Sequence, residues 1–322
     1  MSSPALGLEK HAPFYVAGHR GLVGGAIWRT LDADGYTNLI GRTSQELDLR
    51  DRAAVFDFFA AAKPSYVVLA AAKVGGILAN QTHPVEFLST NLQIQTNVMD
   101  AALEHDVTRL LFLGSSCIYP RLAKQPIRED SLLTGPLEPT NDAYAIAKIA
   151  GILQVQAVRR EYGKMWISAM PTNLYGPGDN FSPNGSHVLP ALIQRYDHAV
   201  RSGARSVTNW GTGSPRRELL HVDDMAMACL HLLEHYDDDE QVNIGTGVDE
   251  TVREIAHLVA DAVGYEGDTH WDTSKPDGTP QKRLDVSKIN QLGWNASIPL
   301  GDGIEQTVRW FRMQHGDRRA LD

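Results

Sequence analysis

Tyr144 and Lys148 stand four residues apart in the segment DAYAIAKIAG. On a helix that spacing puts both side chains on one face, within reach of each other. An ammonium beside a phenol stabilises the phenolate, so the pair predicts a tyrosine whose pKa falls toward a useful range. Upstream, the apolar run RLLFL ends in GSSC, which offers Ser115, Ser116 and Cys117. A serine hydroxyl near Tyr144 would hydrogen-bond the same substrate oxygen. Ser115, Tyr144 and Lys148 together could protonate a carbonyl oxygen while hydride arrives at its carbon. Cys117 follows the strand end beside two hydroxyls, a place that suits packing or chemistry. Cys229, in the apolar run MAMACLHLL, reads as core.

Hydride needs a carrier. The apolar run Phe14–Ala17 leads into AGHRGLVGGAI, with Gly18, Gly21 and Gly24 spaced G-x-x-G-x-x-G before a helix-like segment. Glycines there permit a tight turn and close backbone approach to a pyrophosphate, which a helix N-terminus then attracts. NAD-binding chains of this kind usually end the second strand with an acid that holds the ribose hydroxyls. Here that region reads NLIGRTSQELDL, with Arg42, Thr43 and Ser44 ahead of the first acid, Glu46. Arg20 lies inside the glycine loop and could pair with a ribose 2′-phosphate by charge and forked hydrogen bonds. These residues predict NADP rather than NAD, with Asp48 and Leu49 bordering the adenine.

The elements that must position these groups alternate along the first half. Strand-like runs fall at Phe14–Ala17, Asn38–Ile40, Tyr66–Ala70, Arg109–Leu113 and Trp166–Met170, and helix-like segments lie between them, the longest at Asp142–Tyr162. Continuous apolarity in the strands suits burial on both faces. The predicted class is α/β, a Rossmann-type doubly wound parallel sheet. After Pro171 the texture changes to turn-rich stretches such as GPGDNFSPNGSHV and SKPDGTP, with helices at Val222–His235 and Val252–Val263. The expected organisation is an NADP-binding domain over 1–175 and a smaller substrate-binding lobe over 176–322, with a strand near 241–245 returning to the first sheet. The chain of 322 residues carries a net charge of −9 without a Lys/Arg block. A nucleic-acid partner is therefore not expected. The N-terminal MSSPALGLEKHA has no apolar signal core, and no run approaches the roughly 20 residues that span a bilayer. No membrane association is expected. Two cysteines give neither a disulfide framework nor a metal set, and a reducing, cytoplasmic setting follows.

With these motifs in order, the chain resembles the extended short-chain dehydrogenases/reductases, and within them the GDP-L-fucose synthases. The segments that carry the resemblance are GHRGLVG, LAAAKVGGI, LFLGSSCIYP, EPTNDAYAIAK, MPTNLYGP, SHVLPALI, WGTGSPRRELLHVDDMA and KPDGTP. The resemblance implies a two-step epimerase/reductase that inverts C3 and C5 of GDP-4-keto-6-deoxy-D-mannose and reduces C4 with NADPH. It places catalysis on Ser115, Cys117, Tyr144, Lys148 and His187. Cys117 would be the base and His187 the acid, although the sequence does not fix which serves which step. Cofactor contacts fall on Gly18, His19, Arg20, Gly21, Leu22, Val23 and Gly24, on Arg42, Ser44, Asp48 and Leu49, and on Lys148, Pro171, Thr172, Asn173, Leu174 and His187. Substrate contacts fall on Arg195, Trp210, Arg217 and Asp277. Family members are usually dimers through a four-helix interface. One departure stands at Ser44, where the family often has a basic residue, leaving Arg20 as the main 2′-phosphate contact.

Three other readings compete. A 4,6-dehydratase wants an Asp/Glu pair beside the catalytic hydroxyl, whereas Ser116 and Cys117 follow Ser115, and no acid appears before Glu129. A 4-epimerase with permanently bound NAD gives Cys117 and His187 nothing to do. A dinucleotide sensor without turnover could dispense with Tyr144 or Lys148, and both are present.

Overall fold

The computed structural model describes residues 6–182, 187–275 and 277–314. In chain order the first half runs β1 (Phe14–Ala17), α1 (Leu22–Ala33), β2 (Leu39–Ile40), α2 (Arg52–Ala62), β3 (Tyr66–Leu69), α3 (Ile77–Thr82), α4 (Pro84–Glu104), β4 (Arg109–Leu113), α5 (Asp142–Tyr162) and β5 (Ile167–Pro171). There follow β6 (Asn173–Tyr175), α6 (Val188–Ser202), β7 (Ser206–Trp210), β8 (Arg216–Arg217), β9 (Leu219–His221), α7 (Val222–His235), β10 (Val242–Ile244), β11 (Glu250–Thr251), α8 (Val252–Val263), β12 (Asp268–Asp272), β13 (Gln281–Lys282), α9 (Ser287–Gln291) and α10 (Leu300–Gln314).

Six strands form one sheet in the order β10-β5-β4-β3-β1-β2. Every pairing in it is parallel. The alternation of short apolar strands with helices demands this, because a parallel crossover needs a helix and covers a sheet face. β1 shows the two-sided burial directly. Phe14 and Val16 enter the core shared with α1 and α7, while Tyr15 and Ala17 enter the core shared with α2, α4 and α5. β10 pairs with β5 through Val242↔Ala169 and Ile244↔Pro171, so residues far along the chain return to the first sheet. A third core joins α6, α8, α10 and β7.

Local signals explain the element ends. Asp51 accepts the Ala54 N–H at 3.1 Å and starts α2, and Pro84 opens α4. Thr251 and Glu254 close a reciprocal capping box on α8. His221 is buried and caps α7 by accepting the Asp223 N–H at 3.3 Å, a local structural role. Cys229 is fully buried in α7 and burial pushes its thiol well up.

The helix that carries Tyr144 and Lys148 approaches the sheet closely at one point. A Cβ at Gly151 would collide with the Phe112 ring, which is fully buried in β4. The α5–β4 separation is therefore set by a missing side chain. Gly151→Val is expected to cost about 2 kcal/mol through overpacking. Equilibrium urea unfolding, read as a lower midpoint at unchanged slope, checks this.

Candidate active site

The C-terminal ends of β1, β3, β4 and β5 converge where the strand order reverses, the usual ligand crevice of an open parallel sheet. Beyond β4 the chain turns through Gly114 into a short 3-10 turn, Ser116–Ile118. Ser115 caps that turn, its hydroxyl accepting the Cys117 N–H at 3.4 Å. Cys117 is 8% exposed. From the facing helix, Lys148 is buried, donates from Nζ to the Leu113 carbonyl at 2.8 Å, and lies 4.8 Å from the Phe112 ring centre. Tyr144 sits one turn earlier, its ring centre 5.8 Å from Lys148 Nζ, with the Phe87 ring edge-on to it at 6.4 Å. Ser115, Cys117, Tyr144 and Lys148 thus share one small region, and the charge of Cys117 acts on both Tyr144 and Lys148.

The electrostatics correct one expectation. The sequence predicts that Lys148 lowers the Tyr144 phenol; instead burial pushes that phenol far up, and Cys117 adds to the rise. Lys148 is itself pushed down to about 8, by desolvation against a smaller opposing pull from Cys117. Its ammonium is turned to the Leu113 carbonyl and is weakened by the same burial that raises the phenol. Tyr144 is accordingly held as a protonated donor. His187 stands immediately before α6, its carbonyl accepting the Ala191 N–H at 3.1 Å, while its ring makes no hydrogen bond to a described residue and the residue is exposed. The protein around that ring still desolvates it enough to hold its pKa below the ordinary imidazole value.

The glycine loop lies beside this group. Gly18 has a φ of +86°, and a Cβ on it would stand 2.8 Å from the Ala71 amide nitrogen. Gly21 precedes α1 with no side-chain cap, so the first-turn N–H groups of Leu22, Val23 and Gly24 point outward. His19 packs on Trp28 at 5.3 Å and covers Gly41, and its Nδ1 is buried with no partner among the described residues. Arg20 and Arg42 are exposed at the rim, and both act on His19. Glu46 accepts from the Thr43 N–H at 2.7 Å and the Thr43 hydroxyl at 2.8 Å, so its carboxylate is occupied. An uncapped helix start, a cradle no side chain could enter and two exposed guanidinium groups, that of Arg42 donating to the Gly41 carbonyl at 2.8 Å, fit a dinucleotide with an extra phosphate. Ser44 is exposed nearby. Asp48 is clamped by Arg50 through Nε at 2.9 Å and Nη2 at 2.7 Å, which leaves Leu49 as the apolar border for a base. Pro171 ends β5; Thr172 and Asn173 turn their side chains to the Glu218 carbonyl, and Leu174 pairs with Leu220.

The substrate-side residues are placed less uniformly. Arg195 donates to Asn209 Oδ1 at 2.5 Å, and Asn209 is held by the Tyr196 hydroxyl. Trp210 is 70% exposed at the end of β7, with Lys275 5.7 Å from its ring centre. Arg217 donates to the Arg216 and Thr279 carbonyls at 2.7 and 2.6 Å. Asp277 is already engaged: its oxygens take the Thr212 N–H at 2.9 Å and the Thr212 hydroxyl at 2.7 Å. It braces the turn beside Trp210. Sequence reasoning missed Lys282, which β13 sets beside Arg217 in parallel register. Lys282 feels the charges of Cys117 and Arg217, and desolvation lowers its pKa. Its segment, TPQKRLD, has no strand signal, and a two-residue pairing across 65 positions leaves no pattern to find.

The model of the NAD dependent epimerase/dehydratase family matches residues 14–245. The chain is 58% identical to GDP-L-fucose synthase 1 of Arabidopsis thaliana over 303 residues, 94% of either chain. It is 52% identical to the GDP-L-fucose synthase of Escherichia coli K12 over 313 residues, 94% of this chain and 97% of that one. The chain belongs to the GDP-L-fucose synthase family. Among solved structures, the GDP-L-fucose synthetase of Naegleria fowleri bound to NADP superposes with a TM-score of 0.89 at 27% identity, covering 98% of this chain and 99% of that one. The cofactor of this GDP-L-fucose synthase family member is NADP, in line with the exposed guanidinium pair at the glycine loop.

Lys148 is protonated below its pKa of about 8 and neutral above it. In the free enzyme, kcat/KM for ketone reduction is therefore expected to fall as pH rises through a limb near 8. The pH–rate profile checks this, and in Lys148→Met the limb should vanish along with most of the rate.

Proposed function

We propose that the chain converts GDP-4-keto-6-deoxy-D-mannose to GDP-L-fucose by epimerisation at C3 and C5 followed by reduction at C4. The observation that carries this reading is the meeting of Ser115, Cys117, Tyr144 and Lys148 at the end of β4, beside the glycine loop. NADPH supplies the hydride. Gly18 to Gly24 hold its pyrophosphate, Arg20 and Arg42 its 2′-phosphate, and Lys148 its nicotinamide ribose.

Both epimerised carbons flank the C4 carbonyl, so their protons are acidified through an enolate. Cys117 removes a proton from one face, and His187 returns one from the other. Ser115 and Tyr144 donate hydrogen bonds to the oxygen where charge develops. In the reduction Tyr144, kept protonated by burial, gives its proton to that oxygen. Arg195 and Arg217 take the diphosphate, and Lys282 reaches from Arg217 toward Cys117. Trp210 covers the base or sugar. Asp277 acts through Thr212 rather than on the substrate. A dehydratase is disfavoured by the same geometry. Glu129 accepts the Asn243 N–H at 3.0 Å and Glu138 pairs with Arg121, so neither acid is a partner for Tyr144.

The reading divides the molecule into a cofactor lobe over 1–175, with β10 in its sheet, and a mainly substrate-binding lobe over 176–322. It places the enzyme in the cytoplasm; among the described residues no helix is long and apolar enough to cross a membrane. It also makes the enzyme a homodimer through α4 and α5. Ile146 and Leu153, seven apart on α5, are 46% and 44% exposed, an apolar stripe with α4 packed alongside. Light scattering should return twice the chain mass, and Leu153→Glu should return the chain mass.

Mixing the protein with NADPH and GDP-4-keto-6-deoxy-D-mannose should consume NADPH and yield GDP-L-fucose; no loss of absorbance would sink the proposal. Cys117→Ser is expected to abolish solvent deuterium incorporation at C3 and C5. Unchanged exchange in that variant would reduce Cys117 to packing.

A further inference from the structure

Glu218 lies between β8 and β9, one residue after Arg217, and is fully buried. Its two carboxyl oxygens serve different segments. Oε1 accepts the Gly247 N–H at 2.7 Å, in the turn after β10. Oε2 accepts the Leu284 N–H at 2.7 Å, just past β13. The Glu218 N–H donates to the Lys282 carbonyl at 3.4 Å, so residue 218 grips the β13 segment on either side of Arg283. Its carbonyl faces the other way and accepts from the Thr172 hydroxyl at 3.3 Å and the Asn173 amide at 3.0 Å. Burial raises the pKa of the carboxyl, and the N–H groups of Leu284, Gly247 and Thr246, with the Thr172 hydroxyl, oppose the rise.

We propose that Glu218 is a positioning residue for the nucleoside-diphosphate half of the site, its carboxylate fixing the strand pair that carries Arg217 and Lys282. This rests on the assignment of Arg217 to the diphosphate. Backbone N–H groups cannot reverse their polarity, so an amide in place of the carboxylate keeps an acceptor for only one of Gly247 and Leu284, sets a donor against the other and strains the grip on β13. The Thr172 hydroxyl can turn from donor to acceptor, and the Glu218 carbonyl is untouched by the change. The cofactor-side residues Thr172 and Asn173 therefore stay where they are.

The test is titration calorimetry of the full chain with GDP and, separately, with NADP+. Glu218→Gln should weaken GDP by about tenfold and leave NADP+ within about twofold. Equal weakening of both ligands, including through failure to fold, would make Glu218 a general structural residue and overturn the inference. Unchanged GDP binding would overturn it too. Arg217→Ala, run alongside, separates this from the underlying assignment: if it leaves GDP binding intact, the diphosphate assignment itself is wrong. If Arg217→Ala weakens GDP and Glu218→Gln does not, only the positioning role falls.

Discussion

One buried hydrogen bond ties the Tyr144–Lys148 helix to the end of β4: the Lys148 ammonium donating to the Leu113 carbonyl at 2.8 Å. That carbonyl ends β4, so the bond fixes the rotation of α5 against the strand from which Ser115 and Cys117 emerge. Without it a buried ammonium would stand unpaired beside the Phe112 ring, a costly state in a low-dielectric interior. With it, Tyr144 is held one turn away from Lys148 and over the strand end. The desolvation that makes the bond strong also lowers the Lys148 pKa and raises that of Tyr144. Position thus comes from this contact, and acid–base character from the burial around it.

The two ligand regions are built differently. The cofactor side uses backbone: a glycine turn, an uncapped helix start and strand ends. Little there can be altered by changing a side chain, apart from the arginines at the rim. The proposed substrate side uses long cationic side chains held by another side chain or by a carbonyl: Arg195 by Asn209 and Arg217 by Thr279. Tethering a guanidinium beforehand reduces the rotamer entropy lost when an anion arrives.

Much of this was legible from the residues, and the reason is periodicity. Arg109–Leu113, Asp142–Tyr162, Val222–His235 and Val252–Val263 have in the structure the bounds that their apolar patterns predict. The Tyr144–Lys148 pair and the glycine loop could be read because their spacing is local. What escaped was long-range or electrostatic. β8, β11 and β13 are two residues each and meet only through tertiary contacts, so Lys282 and Glu218 gave no warning of where they stand. The sign of the Tyr144 shift depends on burial, and spacing carries no information about that. Asp277 looked like a free acceptor because nothing in KPDGTP announces that Thr212 occupies it.

Gly151 has a consequence at the level of inheritance. Every other amino acid carries a Cβ, so each missense change in its codon wedges α5 away from the Phe112 ring. The chemistry at Tyr144 would suffer from substitutions at a residue two turns away that meets no ligand. In a collection of natural variants, a gap at position 151 would mark the distance between helix and strand as something selection maintains.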